Sequence, residues 1–274
     1  MIAADIAYLR PDTAEEAVEA WSRHAGARYL AGGTEITTAA RRTAAYDLRA
    51  CIDVKRIPEL RRLEIADGVL RLGAALPLSV LTDADAFPLL AATCRGIADR
   101  TVRNRLSLGG NLAGMLPYRE AALPLLLVDA SVLTLAPAAD GAPPARQERK
   151  LRDLFDKRLL LSPGELALSF SIPLAATRLP WRHRRATRTG PVDYPLVTTA
   201  MVRDGNALRL AVAGAHPYPV RSDAADAALS KEDPAAIPAV LSAFGPPRAD
   251  SRASAEYRVH LLRHLIRTSL EELT

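Results

Sequence analysis

The sequence is poor in cysteine, lysine and aromatic residues. Cys51 and Cys94 are its only thiols. No Cys-x-x-Cys pair is present, so the chain by itself cannot ligate an iron–sulfur cluster. Each thiol reads as a small core residue, Cys51 in the strand-like Arg49-Ala50-Cys51-Ile52-Asp53-Val54 and Cys94 in an Ala/Leu-rich helical stretch. No stretch reaches the about 18 uninterrupted apolar residues of a membrane span, and the mean hydropathy is only +0.02. Met1-Ile2-Ala3-Ala4-Asp5 puts no basic stretch ahead of an apolar run, so it does not read as a signal peptide. A cytoplasmic protein without a membrane span is expected. Four lysines stand among 36 basic residues, against 31 acids, so the surplus of five positive charges is carried by arginine. A sequence pI near 9.5 raises nucleic acid as a partner. The arginines are scattered, however, and the one dense run, Arg182-His183-Arg184-Arg185 continued by Arg188, is not interleaved with stacking aromatics. It is expected to be a solvated loop or a protein contact, with no nucleic acid bound.

Of the five histidines, only His260 and His264 have ligand spacing, at i and i+4, and no third ligand accompanies them. No metal site is expected. Neither a Ser-His-Asp set nor a carboxylate pair stands out, so no catalytic side chain is assigned.

Two glycine pairs carry most of the information. Ala31-Gly32-Gly33-Thr34-Glu35 and Ser107-Leu108-Gly109-Gly110-Asn111 each follow an extended-looking segment and precede residues that can start a helix. Glycine admits positive φ and a close approach to backbone N–H groups. Successive N–H groups ahead of a helix form a concavity suited to phosphate. Two such loops suit a ligand with two phosphates, such as a dinucleotide. Asn111 stands where Gly-x-Gly-x-x-Gly would need its second glycine, which argues against a Rossmann site. Thr34 can donate to a phosphate or cap the next helix, and Asn111 can bond a phosphate or brace its turn. Glu35 would repel a diphosphate if it pointed inward, so it is expected to point out. Asp53 reads as a structural acid at a strand end.

The chain of 274 residues, 49% hydrophobic, has room for one large domain or two to three small ones. Thr13-Ala14-Glu15-Glu16 is a capping box, and Ala17, Val18 and Trp21 follow at helical spacing until Gly26. Ala27 to Leu30 reads as a strand, Glu35 to Arg42 as a helix and Asp47 to Val54 as the next strand. That order puts the first loop at the carboxyl end of a strand. A second unit starts near Pro58, with a hairpin about Asp67-Gly68. Helices are expected at Leu78 to Leu81, Pro88 to Ala98 and Glu120 to Val128, and strands at Ser131 to Leu135 and Leu166 to Ile172, with Ala136 to Ala145 a surface loop. A boundary falls between Pro173 and Trp181. Leu196 to Arg203 and Leu208 to Ala213 make a hairpin about Asp204-Gly205. Val259, Leu262, Ile266 and Leu270 form the apolar stripe of a final helix from about Ala253.

Four segments, in order along the chain, resemble the FAD-binding medium subunits of molybdenum hydroxylases, the group of the xanthine dehydrogenase and CO dehydrogenase flavoproteins. Leu30-Ala31-Gly32-Gly33-Thr34-Glu35 is similar to the first flavin loop, and Ile52-Asp53-Val54-Lys55-Arg56-Ile57-Pro58-Glu59-Leu60 to the segment after it. Val102 through Ala113 resembles the second loop, and Asp250 through Arg258 the start of the last helix. The resemblance implies an α+β fold: two α/β FAD-binding subdomains of PCMH type, residues 1–57 and 58–175, then a C-terminal domain, 176–274, with a small antiparallel sheet and helices. It implies FAD held by Ala31, Gly32, Gly33, Thr34, Glu35, Ser107, Leu108, Gly109, Gly110 and Asn111. Relatives carry an acid that binds the ribitol or ribose part of FAD where this chain has Glu120. A lysine near the flavin pyrimidine edge corresponds to Arg185. Leu116 replaces a further acid. The implied partners of this heterotrimer are a molybdopterin-binding large subunit and a small subunit with two [2Fe-2S] clusters, with NAD+ or another acceptor taking the electrons. The alternative is a relative that has lost FAD and serves as a scaffold.

Overall fold

The computed structural model describes residues 6–42, 48–137, 143–229 and 234–273. The strands are β1 (Ala7–Leu9), β2 (Ala27–Leu30), β3 (Ala50–Asp53), β4 (Leu63–Ala66), β5 (Val69–Gly73), β6 (Ser131–Ala136), β7 (Ala145–Lys150), β8 (Phe155–Asp156), β9 (Arg158–Leu159), β10 (Leu166–Pro173), β11 (Trp181–Thr187), β12 (Pro195–Asp204), β13 (Ala207–Ala213) and β14 (Val220–Arg221). The helices are α1 (Ala14–Arg23), α2 (Thr34–Arg42), α3 (Leu78–Ala84), α4 (Pro88–Arg95), α5 (Arg100–Arg103), α6 (Leu108–Ala113), α7 (Ala122–Leu127), α8 (Leu151–Leu154), α9 (Asp223–Leu229), α10 (Ile237–Phe244) and α11 (Ala255–Leu273). The chain divides into two compact units, each drawn from separate stretches of sequence. One comprises Met1–Val80, Thr101–Met115 and Ala130–Ile172. The other comprises Leu81–Arg100, Leu116–Asp129 and Pro173–Thr274.

The first unit holds a parallel three-stranded sheet, order β1-β3-β2. It also holds a five-stranded sheet, order β4-β5-β10-β6-β7. Helix α1 starts at a complete capping box: the Glu16 N–H donates to Thr13 Oγ1 at 3.1 Å and the Glu16 carboxylate accepts from the Thr13 N–H. Its buried face, Ala14, Ala17 and Val18, joins Ala27, Ile52, Val54, Ile57, Leu60, Leu135 and Leu168 in one apolar core. Burying a leucine-sized side chain contributes about 2 kcal/mol, so this shared core fixes the strand that feeds the first glycine loop. The strand expected from Asp47 is observed from Ala50, and Asp47 itself lies outside the described residues. So does 138–142, half of the Ala136–Ala145 stretch. Beyond it, Ala145-Arg146-Gln147-Glu148-Arg149-Lys150 forms β7, an antiparallel edge strand on β6.

The second unit carries an antiparallel sheet, order β11-β12-β13-β14. The hairpin β12–β13 turns at Asp204-Gly205, with Gly205 at φ +57°. Val197, Met201, Leu208, Leu210 and Val212 on one face bury against Leu229, Ile237, Val240, Leu262, Ile266 and Leu270 from α9, α10 and α11. The basic run Arg182-His183-Arg184-Arg185 is not a solvated loop. It lies in β11, paired residue by residue with β12 from Trp181↔Val202 to Ala186↔Val197. Its guanidinium groups have carboxylate partners, Arg182 and Arg184 on Glu272 and Arg185 on Glu120. Those partners let a charged sequence occupy a half-buried strand.

Candidate functional site

The first loop leaves β2 at Leu30, turns through Ala31, Gly32 and Gly33, and enters α2 at Thr34. Gly33 has φ +71°, a conformation that L side chains rarely adopt. Gly32 is required by proximity, since a Cβ there would sit 1.8 Å from the Arg105 carbonyl oxygen. Thus the first loop lies against the backbone that leads into the second. The carbonyls of the α2 start are satisfied, with the Thr37 N–H and hydroxyl donating to Gly33 O at 3.1 and 2.9 Å. The amides are not: among the described residues the N–H groups of Gly32, Gly33 and Thr34 meet no protein acceptor. Three consecutive donors at the start of a nine-residue helix make a concavity with positive potential.

The second loop is built differently. Ser107, 4% exposed, is the N-cap of α6, and its side chain accepts the Gly110 N–H at 3.3 Å. Leu108 N–H donates to Leu76 O, Gly109 N–H to Ala74 O and Asn111 N–H to Ser107 O, at 2.9, 2.8 and 2.8 Å. Gly109 and Gly110 lie inside α6, and neither has a positive φ. The expectation of a glycine turn with free donors is corrected here: these four amides are already engaged. Gly109 serves close packing, for a Cβ there would stand 3.0 Å from Ala74 Cβ and Ala74 O.

Glu35 joins the two loops. Its carboxylate accepts the Met115 N–H at 2.7 and 2.6 Å, just past the end of α6. Oε2 lies 2.7 Å from where a Gly114 Cβ would be, so glycine admits the carboxylate there. The acid at the mouth of the first loop is thus engaged by a neighbouring amide.

Glu120 and Arg185 meet in the second unit. Arg185 Nε donates to Glu120 Oε1 at 2.9 Å and Nη2 to Oε2 at 3.4 Å, while the Thr198 hydroxyl donates to Oε1 at 2.6 Å. The side chains are 3% and 10% exposed. Burial pushes the Glu120 carboxyl above its ordinary range, opposed by Arg185 and Thr198. Arg185 also donates to Asp193 O and Pro191 O at 2.6 and 3.2 Å, which anchors the β11–β12 connection. On that connection Tyr194 stacks on Tyr118 with ring centroids 4.6 Å apart, and the Arg248 guanidinium lies 5.5 Å from the Tyr118 ring. Thr198, Tyr118 and the Met115 amide carried no sequence signal, being ordinary residues made relevant by what folds against them. Among the described residues no group of three or more His, Cys, Asp or Glu could hold a metal ion. Among the described residues no helix is long and apolar enough to cross a membrane.

Residues 4–175 match the family described as FAD binding domain in molybdopterin dehydrogenase. The chain belongs to that family. This FAD-binding chain is 26% identical to the xanthine dehydrogenase FAD-binding subunit of Escherichia coli O157:H7, over 97% of its own length and 94% of that protein's. It is 25% identical to the carbon monoxide dehydrogenase medium chain of Hydrogenophaga pseudoflava, covering 98% and 97%. A solved structure of the Hydrogenophaga pseudoflava carbon monoxide dehydrogenase that lacks the Mo-pyranopterin moiety of its cofactor superposes with a TM-score of 0.84. It is 26% identical, and the match covers 100% of this chain and 98% of that one. The α+β architecture expected from the resemblance is the one these proteins share. The cofactor is FAD, and the chain is an oxidoreductase flavoprotein subunit. Among the described residues, the first loop has the features that a diphosphate requires: three open amides, a glycine backbone without Cβ obstruction, and the Glu35 carboxylate engaged by Met115.

Proposed function

We propose that the chain is the electron-transfer flavoprotein of a molybdenum hydroxylase complex. In this reading a molybdopterin-binding large subunit oxidises the substrate. A small subunit carries the electrons through [2Fe-2S] clusters, and they leave through FAD to NAD+ or another external acceptor. The complex works in the cytoplasm, and the chain serves it as two FAD-binding subdomains, 1–57 and 58–175, followed by a C-terminal domain. The observation that carries the reading is the row of open N–H groups at Gly32, Gly33 and Thr34.

When bound, FAD supplies the exchange between electron pairs and single electrons that connects clusters to acceptor. The residues of this chain bind and orient it. Backbone N–H groups at 32–34 hold the diphosphate, helped by the α2 dipole. Asn111 contributes its side chain rather than its amide, which is engaged by Ser107 O, and Ser107 contributes the hydroxyl that caps α6. Glu35 bonds the first loop to the end of α6, Gly109 keeps α6 close to Ala74, the Leu108 N–H ties it to Leu76 O, and the Gly110 N–H donates to the Ser107 cap. Glu120 retains acceptor capacity on Oε2 for a sugar hydroxyl, and Arg185 places a fixed positive charge beside it. No side chain has to move a proton.

Co-expression with the neighbouring subunits, followed by measurement of visible flavin absorption and iron per chain, tests this. One flavin per chain in a complex that reduces an acceptor is expected. An active, intact complex without flavin would overturn the reading in favour of a scaffold.

A further inference from the structure

Strand β11 is the outer strand of its sheet, and among the described residues no strand pairs with its free side. Its hydrogen-bond phase follows from one contact. Arg203 N–H donates to Pro180 O at 2.9 Å, which makes Trp181 and Val202 a non-hydrogen-bonded pair. Arg182 and Arg184 therefore turn their backbone groups inward to β12. Trp181 and His183 turn theirs outward. The Trp181 carbonyl is taken by Arg182 Nη1 at 2.8 Å. The His183 N–H and C=O have no protein partner among the described residues.

A cleft of about 540 Å³ follows this edge, lined by Pro180, Trp181, Arg182, His183, Arg184 and Glu272. Alternation along the strand puts Arg182 and Arg184 on the face that meets α11, with Trp181 and His183 on the other. Both arginines bind one carboxylate: Arg182 Nε donates to Glu272 Oε2 at 2.7 Å, and Arg184 Nη2 donates to Oε1. Among the residues that line the cleft, two cations on one anion leave a net positive charge. Arg184 Nε is buried without an acceptor. Burial, with the Arg185 charge adding to it, pulls His183 down to about 4, so the histidine is neutral and the surplus charge belongs to the arginines.

We propose that an extended acidic segment of a partner subunit adds along the outer edge of β11 as a further strand. The outward His183 amide pair supplies backbone hydrogen bonds, Trp181 an apolar contact, and Arg182 and Arg184 attract carboxylates at alternate positions of the incoming strand. A second copy of this chain is a poorer occupant, because pairing β11 with β11 brings arginine against arginine. The inference rests on the multi-subunit reading above and names the surface that one partner uses.

The test is made in the co-expressed complex with three variants. Trp181→p-benzoylphenylalanine is cross-linked by light, and the joined peptide should come from another subunit and be rich in Asp and Glu. Arg184→Glu should weaken partner binding by about tenfold or more. His183→Pro removes an N–H that only faces outward, which an edge strand tolerates, and should weaken binding with flavin per chain unchanged. If Arg184→Glu loses its flavin as well, His183→Pro and the cross-link decide the matter. Wild-type affinity in both substituted chains, or a cross-link to a second copy or to a basic segment, overturns the inference while the complex stands. A wild-type chain that recovers no partner overturns the multi-subunit reading with it.

Discussion

The Glu35 carboxylate accepts the Met115 N–H with both of its oxygens, 80 residues away in sequence. This contact orders the start of α2 against the end of α6, and so places the open amides at 32–34. It also sets an amide donor against the Glu35 carboxylate, which partly offsets its negative charge. A hydrogen bond to an ionised acceptor is worth about 1.5–3 kcal/mol. Glu35→Ala is expected to lower unfolding stability by about 1–2 kcal/mol and FAD affinity by about tenfold, whereas Glu35→Gln, which keeps one acceptor, should lose less. Denaturant titration and fluorescence titration of the apoprotein with FAD check the two numbers. Unchanged affinity in Glu35→Ala would separate this contact from the cofactor.

Gly32→Ala tests the approach of the two loops. The new methyl would meet a backbone oxygen, which cannot swing aside as a side-chain tip does. The expected cost is about 3 kcal/mol, the upper range for overpacking, with loss of bound flavin. Gly68→Ala is the control. It shares φ +71° with Gly33 but has nothing within 4 Å of the added carbon. It should cost only the left-handed penalty of about 1–2 kcal/mol and retain flavin. Comparable flavin loss in both variants would show that the clash at Arg105 is not the cause.

Elements whose signals are local were legible in the sequence. The capping box at Thr13, the Asp67-Gly68 and Asp204-Gly205 hairpins and the stripe on α11 all stand where side-chain chemistry puts them. The first glycine loop was legible because positive φ at Gly33 leaves a residue-type signature. The second was misread because Ser107-Leu108-Gly109-Gly110 resembles a turn, yet a serine cap and packing on Ala74 wind it into α6. Strands β7 and β11 are hidden for another reason. Their residues are charged, and only ladders and ion pairs with distant segments make a strand affordable there. The Glu35–Met115 and Glu120–Thr198 contacts leave no local trace at all.

The buried pair Glu120–Arg185 predicts strong non-additivity. Removing one partner leaves an uncompensated charge in a site no more than one-tenth exposed, at a cost of about 3–5 kcal/mol. Removing both leaves none. Glu120→Ala and Arg185→Ala should therefore each destabilise by several kcal/mol, and the double variant by clearly less than their sum. Chemical unfolding of the four proteins completes the cycle. Additive losses would mean that the two charges do not depend on each other.

His183 predicts a pH dependence that one substitution isolates. Its folded-state value is about 4, lowered by burial and then by Arg185, against about 6.5 in an unfolded chain. The unfolded state binds the proton first, so the contribution of His183 to stability is complete above about pH 6.5. It is lost as pH falls from there toward 4, and levels off below. A shift of that size corresponds to about 3 kcal/mol, reduced to about 2 for a side chain that keeps some solvent contact. Glu120, His216 and the other titrating groups are common to the wild type and His183→Gln, so they cancel in the comparison. Between pH 7.5 and pH 4.5 the wild type should lose about 2 kcal/mol more than the variant in denaturant unfolding. Parallel losses in the two proteins would mean that the imidazole is protonated as easily in the folded strand as in the unfolded chain.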